Sequence, residues 1–216
     1  MPIAQINLEG WQDYIGKESG ILLYVETSMQ SVLPVRDQLN DNEKGAFWEP
    51  NYETSTWGLE SCLYAKRVNA IVKAKHKYVF FGTRYAGFDA DYTDKYLIMG
   101  FMEVSKTRDM RERHIRQYML NAEEGTPEPE CMMLNESLAL YGDMHFVGLE
   151  DSFEVTHDWL KGHELRGRPT RQLRLVMEDE PLTEVMEHLK SKPNIIGEYV
   201  QIAHEFKLAM LADEDD

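Results

Sequence analysis

Two apolar runs separated by a polar connection constrain the fold of this 216-residue chain more than any other feature. Residues 78–81 have the sequence YVFF, and residues 96–104 have the sequence YLIMGFMEV. Aromatic and β-branched side chains are frequent in both runs, which favours strands over helices. The connection, residues 86–95, has the composition of a hairpin loop but is longer than a tight turn. The sequence therefore predicts a sheet that contains these two strands.

Weaker patterns predict the other elements of the fold. Further short apolar runs indicate strands at residues 21–25, 145–149 and 172–176. Helical spacing, caps and prolines indicate helices at residues 59–74, 108–122 and 134–141, from near Pro181 to before Pro193, and over residues 196–210. Because most strands come first and the last helices come at the end, without regular βαβ alternation, this order predicts an α+β fold.

Length and composition predict one domain over residues 1–216, with a core at about residues 18–177 and a helical C-terminal extension at about residues 180–212. Hydrophobic residues make up 43% of the chain, which is enough for a substantial core. No apolar run reaches the roughly 18–20 residues that span a bilayer, and residues 1–20 lack the pattern of a secretory signal. We therefore expect a cytoplasmic protein that does not enter a membrane.

The sequence contains no signature of a cofactor. Cys62 and Cys131 are its only cysteines and lack CxxC spacing, which argues against a disulfide scaffold or a zinc ribbon. The glycine-rich phosphate-binding patterns G-x-G-x-x-G and G-x-x-x-x-G-K-[ST] are also missing. We therefore expect no cofactor.

Asp89 and Asp91 are the weak candidates for a metal site, because they lie close together on the connection between the two main strands. Carboxylate oxygens in such a loop suit Mg²⁺ or Ca²⁺. The simpler alternative is a polar loop in which aspartates favour the turns.

The charge of the chain is unevenly distributed, although the net charge is −15. Residues 1–60 contain 3 basic and 10 acidic residues, residues 177–216 contain 3 and 11, and residues 61–176 contain 17 of each. A uniformly acidic surface would repel a polyanion, because nucleic-acid affinity depends on neutralising phosphates. The neutral middle leaves room for a basic patch, whereas the acidic ends either aid solubility or bind a basic protein partner.

Two stretches of the neutral middle are rich in basic residues. Residues 61–88 contain no acidic residue, and residues 161–174 contain only one. Lysine and arginine side chains that meet on one face form an electrostatic footprint for phosphates. The candidates for such contacts are Lys75, Lys77, Arg84, Arg168 and Arg171.

Three aromatic side chains are candidates for stacking on a base: Trp48, Trp57 and Tyr85. A nucleobase stacks on an aromatic ring with roughly 1–3 kcal/mol. The alternative is that these large rings anchor the core or an ordered loop.

Two segments, KYVFFGTRY at residues 77–85 and KYLIMGFMEVSKT at residues 95–107, resemble the central strands of PUA-like domains. The similarity is to the EVE, YTH and ASCH branches and to the nucleotide-modification-associated domains. It rests on a strand with an aromatic pair, followed by a strand with Gly100, Glu103 and Val104 in the pattern hhhGhhEV. The resemblance implies a small mixed β-barrel with flanking helices, and a cleft that recognises a base through aromatic side chains.

These features together lead to one functional prediction and two alternatives. The prediction is a non-catalytic PUA-like module that recognises nucleic acid or a modified nucleotide. One alternative is an enzyme that acts on a nucleotide or nucleic acid and uses a divalent metal at Asp89 and Asp91. The other is an accessory protein that binds a basic protein partner through its acidic ends. The sequence does not predict an oligomeric state.

Overall fold

The computed structural model describes residues 8–24, 50, 52, 54–57, 71–85, 91–92, 95–109, 138–165 and 175–201. The strands in these ranges are β1 (Gln12–Asp13), β2 (Lys17–Tyr24), β3 (Thr56–Trp57), β4 (His76–Arg84), β5 (Tyr96–Asp109), β6 (Leu138–Phe146), β7 (Phe153–Glu154) and β8 (Leu175–Glu178). The helices are α1 (His157–Gly162), α2 (Asp179–Lys190) and a 3₁₀ turn (Leu149–Asp151), and residues 71–74 and 196–201 are also helical. None of the described helices is long and apolar enough to cross a membrane.

The strands form one mixed sheet, in the order β3-β6-β5-β4-β2-β8, with β1 and β7 paired to β5. Only β2 and β4 run parallel among the described pairs, and the other pairs are antiparallel. The sequence prediction of an α+β fold is therefore confirmed as a mostly antiparallel sheet with few helices. The described strands form an open sheet, and closure into a PUA-like barrel stays a prediction.

Most local predictions hold where the structure describes the chain. β4 and β5 contain the two apolar runs, β2 contains most of the first predicted strand, and α2 ends before Pro193. Three predictions are wrong in part. Leu138–Phe146 forms β6 where a helix had been expected up to residue 141. Residues 108–109 belong to β5 where the predicted helix at 108–122 began, and residues 147–149 lie after β6 where the strand predicted at 145–149 continued. β6 pairs with β5 from Leu138 opposite Asp109 to Phe146 opposite Gly100. This pairing overrides local helix propensity, which is only a weak preference.

One face of the sheet is fully covered, and we call it the closed face. Strand residues on this face include Val79, Phe81 and Phe146, which are at most 1% exposed. They pack with other buried side chains, namely Tyr52, Trp57, Ile71 and Tyr199. Phe81 and Phe146 lie 5.6 Å apart between ring centroids, and Phe146 also contacts the rings of Tyr52 and Tyr199. The result is an aromatic core made from distant parts of the chain.

The opposite face carries α2, and we call it the α2 face. Four buried residues of α2, at helical spacing, pack on this face: Leu182, Val185, Met186 and Leu189. The first turn contains Asp179 and Glu180, which suit the positive end of the helix dipole. Gly20 of β2 lies below the helix, where an added Cβ would come within 2.4 Å of the Phe80 ring and 3.2 Å of Leu182. The missing side chain lets α2 approach the sheet closely.

Asn194 connects the segment after α2 to the C-terminal end of β6. Its side-chain oxygen accepts hydrogen bonds from the backbone N–H groups of Phe146 (3.1 Å) and Ile196 (3.2 Å). Its amide nitrogen donates to the carbonyl of Met144 at 3.0 Å. One side chain therefore satisfies strand groups and also caps the helical residues 196–201, which lie on the closed face.

Candidate ligand-binding site

A cleft with a volume of about 630 Å³ runs along one side of α2 on the α2 face. Its residues from α2 recur every three or four positions, so they share one side of the helix. We call it the α2 cleft, and its lining residues are Glu18, Tyr78, Asp179, Leu182, Thr183, Met186, Glu187, Lys190 and Ser191. The volume falls in the range of roughly 300–1,000 Å³ that is typical of small-molecule sites.

Strand pairing brings the polar residues of the cleft together. Tyr78 lies opposite Gly20 on β2 and opposite Glu103 on β5. Glu18 lies two residues before Gly20, within the irregular part of the β2–β4 pairing between Lys17 and Gly20. The Tyr78 hydroxyl donates a hydrogen bond to Glu18 Oε1 at 2.8 Å.

Lys77 completes this polar network. Its ammonium forms ion pairs with Glu18 Oε2 at 3.3 Å and with Glu103 Oε1 at 3.1 Å. It also lies 5.0 Å from the centroid of the Tyr78 ring. Lys77 was one of the basic residues predicted to contact phosphate, and in the structure two carboxylates hold it.

The pKa values of the network follow from these contacts. The hydrogen bond from Tyr78 lowers the pKa of Glu18, and the ion pair with Lys77 acts in the same direction. Burial raises the pKa of Tyr78. The contact with Tyr78, and then the one with Glu103, raises the pKa of Lys77. At neutral pH the network therefore presents a carboxylate, a phenol and an ammonium group, which suits binding through charge and hydrogen bonds.

Lys190 lies above two aromatic rings at the end of α2. Its ammonium nitrogen is 5.7 Å from the centroid of Phe101 and 6.0 Å from that of Tyr78. The two rings are nearly perpendicular, at 81°, with centroids 6.2 Å apart. Among the described residues Lys190 forms no ion pair, so cation–π attraction is its recorded contact with this site.

His145 extends the row of aromatic side chains on the α2 face. Its ring stacks on Phe101 with an interplanar angle of 7° and a centroid distance of 5.5 Å. Burial lowers the pKa of His145, against the smaller opposing effect of the Leu189 carbonyl. The ring is therefore neutral at pH 7.

Comparison of the chain with protein-family models, with curated proteins and with solved structures finds no match. The PUA-like resemblance of the two central strands therefore stays a prediction.

The structure separates the predicted aromatic residues from the α2 cleft. Trp57 is 3% exposed and packs against Phe81 on the closed face, with ring centroids 5.9 Å apart. Tyr85 is completely buried and contacts Tyr92. Both rings are core side chains, which was the alternative left open by the sequence, and neither offers a face to a ligand in this conformation. Trp48 lies outside the described residues.

The structure describes three of the five predicted basic residues and places Arg84 far from the other two. Lys77 lies beside the α2 cleft, in ion pairs with Glu18 and Glu103, whereas Arg84 is exposed near the opposite end of β4, roughly 23 Å away at the rise of a strand. Lys75 is exposed just before β4, with a φ of 58°. Arg168 and Arg171 lie outside the described residues. The described basic side chains therefore do not form a single patch.

The predicted metal site is described only in part. Asp91 is exposed, and Asp89 lies outside the described residues. In the part of the chain that the structure covers, no group of three or more metal-ligating side chains is placed to hold an ion.

Glu18, Tyr78 and Lys190 are site residues that sequence reasoning missed. The sequence offered one usable signal, because Glu187 and Lys190 lie on a helix that its acidic start and its flanking prolines had predicted. The neighbours of these two residues depend on the parallel pairing of β2 with β4, which no local pattern indicates.

Proposed function

We propose that this protein is a non-catalytic recognition module for a ligand that contains a nucleobase, and that the base binds in the α2 cleft. The main support is the composition of a cleft of about 630 Å³ that combines apolar side chains with a polar rim. Small-molecule sites usually have this combination, because apolar surface supplies affinity and a few polar groups fix orientation.

The shape of a base suits the two parts of this lining. Leu182, Met186 and the side chain of Tyr78 supply an apolar surface for the flat face of the ring. Glu18 and Glu187 supply carboxylate oxygens, which accept hydrogen bonds from amino and ring N–H groups. A ligand with donors along one edge therefore matches the cleft better than a purely apolar molecule.

The charges of the cleft favour the base over the phosphate. Among the described residues, the lining contains three acidic residues, Glu18, Asp179 and Glu187, and one basic residue, Lys190. A phosphate inside the cleft would face these carboxylates. We therefore expect nucleosides to bind at least as well as their monophosphates, with any phosphate outside the cleft.

Isothermal titration calorimetry with the common nucleosides, their monophosphates and short single-stranded DNA and RNA tests this proposal. Glu187→Gln removes one carboxylate from the cleft. It should lower the affinity for the bound nucleoside about tenfold, which corresponds to the loss of one hydrogen bond to a charged group. Glu184→Gln is the matched control, because Glu184 lies on the same helix and instead accepts hydrogen bonds from Trp159 and His163. Absence of binding to every probe would contradict the proposal.

The oligonucleotide probes decide between a free ligand and a polynucleotide. A polynucleotide should bind with an affinity that falls steeply with salt, and Arg84→Ala or the pair Arg168→Ala and Arg171→Ala should reduce that slope. Equal affinity for a nucleoside and for an oligonucleotide would instead identify the free nucleoside as the ligand. The metal-dependent enzyme and the acidic accessory protein stay predictions, since no described contact favours them.

A further inference from the structure

We propose that the rings of Tyr78 and Phe101 form a seat for a positively charged group, and that Lys190 occupies this seat when no ligand is bound. This inference rests on the proposed function only in taking the charged group to be part of a base. It adds the class of ligand, a base that is positively charged at neutral pH, and a residue that controls access to it.

The position of Lys190 is the first reason. Its ammonium lies 5.7 Å and 6.0 Å from the two ring centroids, within the distance at which a cation is attracted to a π face. With Lys190 in place, Tyr78 is 5% exposed and Phe101 is 4% exposed. The lysine therefore contributes to covering the two rings, which would become more accessible to a ligand if it moved.

The contrast between Lys190 and Lys77 is the second reason. Both ammonium groups lie near the ring of Tyr78, but Lys77 is fixed by ion pairs with Glu18 and Glu103. In the described parts of the chain Lys190 forms no ion pair within 4 Å, although its charge attracts the Glu18 carboxylate from farther away, and its residue is exposed. Its flexible four-carbon chain can leave the rings without breaking an ion pair. One cation near Tyr78 is thus structural, and the other is exchangeable.

The charge around the seat is the third reason. Glu18, Asp179 and Glu187 line the same cleft, and Lys190 is the one basic residue among those lining residues that the structure describes. A neutral ligand that displaced Lys190 would leave the carboxylates with less compensating charge, whereas a cationic ligand would replace the charge that it displaced. The cleft should therefore prefer a cationic base to a neutral base of the same size.

Two isomeric nucleosides provide the test, with binding measured by calorimetry on the full chain at neutral pH. The ring of 1-methyladenosine is positively charged at this pH. 2-Methyladenosine has the same number of non-hydrogen atoms and is neutral. We expect 1-methyladenosine to bind at least tenfold more tightly. Lys190→Ala should raise its affinity a further several-fold because the occupant is removed. Lys192→Ala is the control, since Lys192 pairs with Asp151 at 3.0 Å and does not line the cleft.

The possible outcomes separate this inference from the proposed function. Equal binding of the two isomers would overturn the inference and leave the proposed function standing. Weaker binding of 1-methyladenosine to Lys190→Ala, in a variant with unchanged thermal stability, would show that Lys190 contacts the ligand and would overturn its role as occupant. Binding of tetramethylammonium, strengthened in Lys190→Ala, without binding of any nucleoside would support the seat and overturn the proposed function. Failure of all these probes to bind would overturn both.

Discussion

The closed face and the α2 face belong to the same sheet but are covered in different ways. On the closed face, aromatic residues pack on one another, and Phe146, Phe81 and Tyr199 are at most 1% exposed. On the α2 face, α2 and Leu160 of α1 pack on the strands, and along the side of α2 a cleft is lined by charged groups such as Glu18 and Lys190. Both faces therefore contain buried aromatic side chains, and the α2 face also has a polar site beside its core.

This difference arises from the alternation of side chains along the strands. β4 places Val79 and Phe81 on the closed face and Tyr78 and Phe80 on the α2 face. A strand can therefore serve stability on one side and recognition on the other. The comparison predicts that substitutions on the closed face mainly reduce stability, whereas substitutions around the cleft mainly affect binding.

The largest expected effect is from Phe146→Ala on the closed face. Phe146 is fully buried against three aromatic rings, and its removal leaves a cavity that these rigid neighbours fill poorly. We expect the free energy of unfolding to fall by about 3–5 kcal/mol in urea denaturation. Glu187→Gln in the cleft should change it by less than about 0.5 kcal/mol. Similar losses of unfolding free energy in Phe146→Ala and Glu187→Gln would contradict the prediction that the closed face mainly provides stability.

A smaller effect is expected for the buried hydroxyl of Tyr199. This hydroxyl donates a hydrogen bond to the carbonyl of Val147 at 2.9 Å, and complete burial strongly raises the pKa of Tyr199. Tyr199→Phe should lower the free energy of unfolding by about 1–2 kcal/mol, because it leaves a buried carbonyl with one partner fewer. Tyr141→Phe is the control, since Tyr141 is only half-buried and has no hydrogen bond from its hydroxyl among the described contacts. An unchanged stability of Tyr199→Phe would show that water reaches this carbonyl.

Alkaline pH probes the edge of the closed face, where Tyr14 packs. Its hydroxyl donates to the carbonyl of His76 at 2.9 Å, and burial raises the pKa of Tyr14 to about 12. The unfolded value is about 10, so this contribution to stability is present below pH 10 and is lost as the pH rises from about 10 to 12. Solvent screening of this half-buried group limits the loss to less than about 1 kcal/mol. Tyr14→Phe should reduce the dependence of the free energy of unfolding on pH between about pH 10 and 12. An unchanged pH dependence in this variant would contradict the role of Tyr14.

The sequence predicted those strands and helices whose residue pattern is recognisable within a short segment of the chain. The runs at residues 78–81 and 96–104 are apolar enough to be recognised as strands, and α2 shows apolar residues at helical spacing before Pro193. Residues 138–146 were assigned incorrectly in part, because their strand conformation depends on pairing with β5 about thirty to forty-five residues earlier.

The candidate site was less predictable because its parts come from distant positions. Glu18 and Tyr78 are 60 residues apart and meet through a parallel strand pair, and Lys190 reaches them only because α2 docks on the sheet. Lys77 was identified from its charge, but the sequence did not reveal its carboxylate partners. Trp57 was recognised as an aromatic anchor or a stacking residue, and composition alone does not distinguish these two roles.

The smallest expected effect concerns the stability of the α2 face in mild acid, where His145 becomes protonated. Burial lowers the pKa of His145, whereas the unfolded value is about 6.5. The unfolded chain therefore binds a proton more readily, so stability is complete above about pH 6.5 and falls as the pH drops toward the folded-state pKa. Because the ring is partly exposed, we expect a loss of less than about 1 kcal/mol. His145→Gln should remove this loss, and His157→Gln, which alters an exposed side chain of α1, should retain it. If both variants keep the same pH dependence, the stacking of His145 on Phe101 does not couple protonation to the stability of the α2 face.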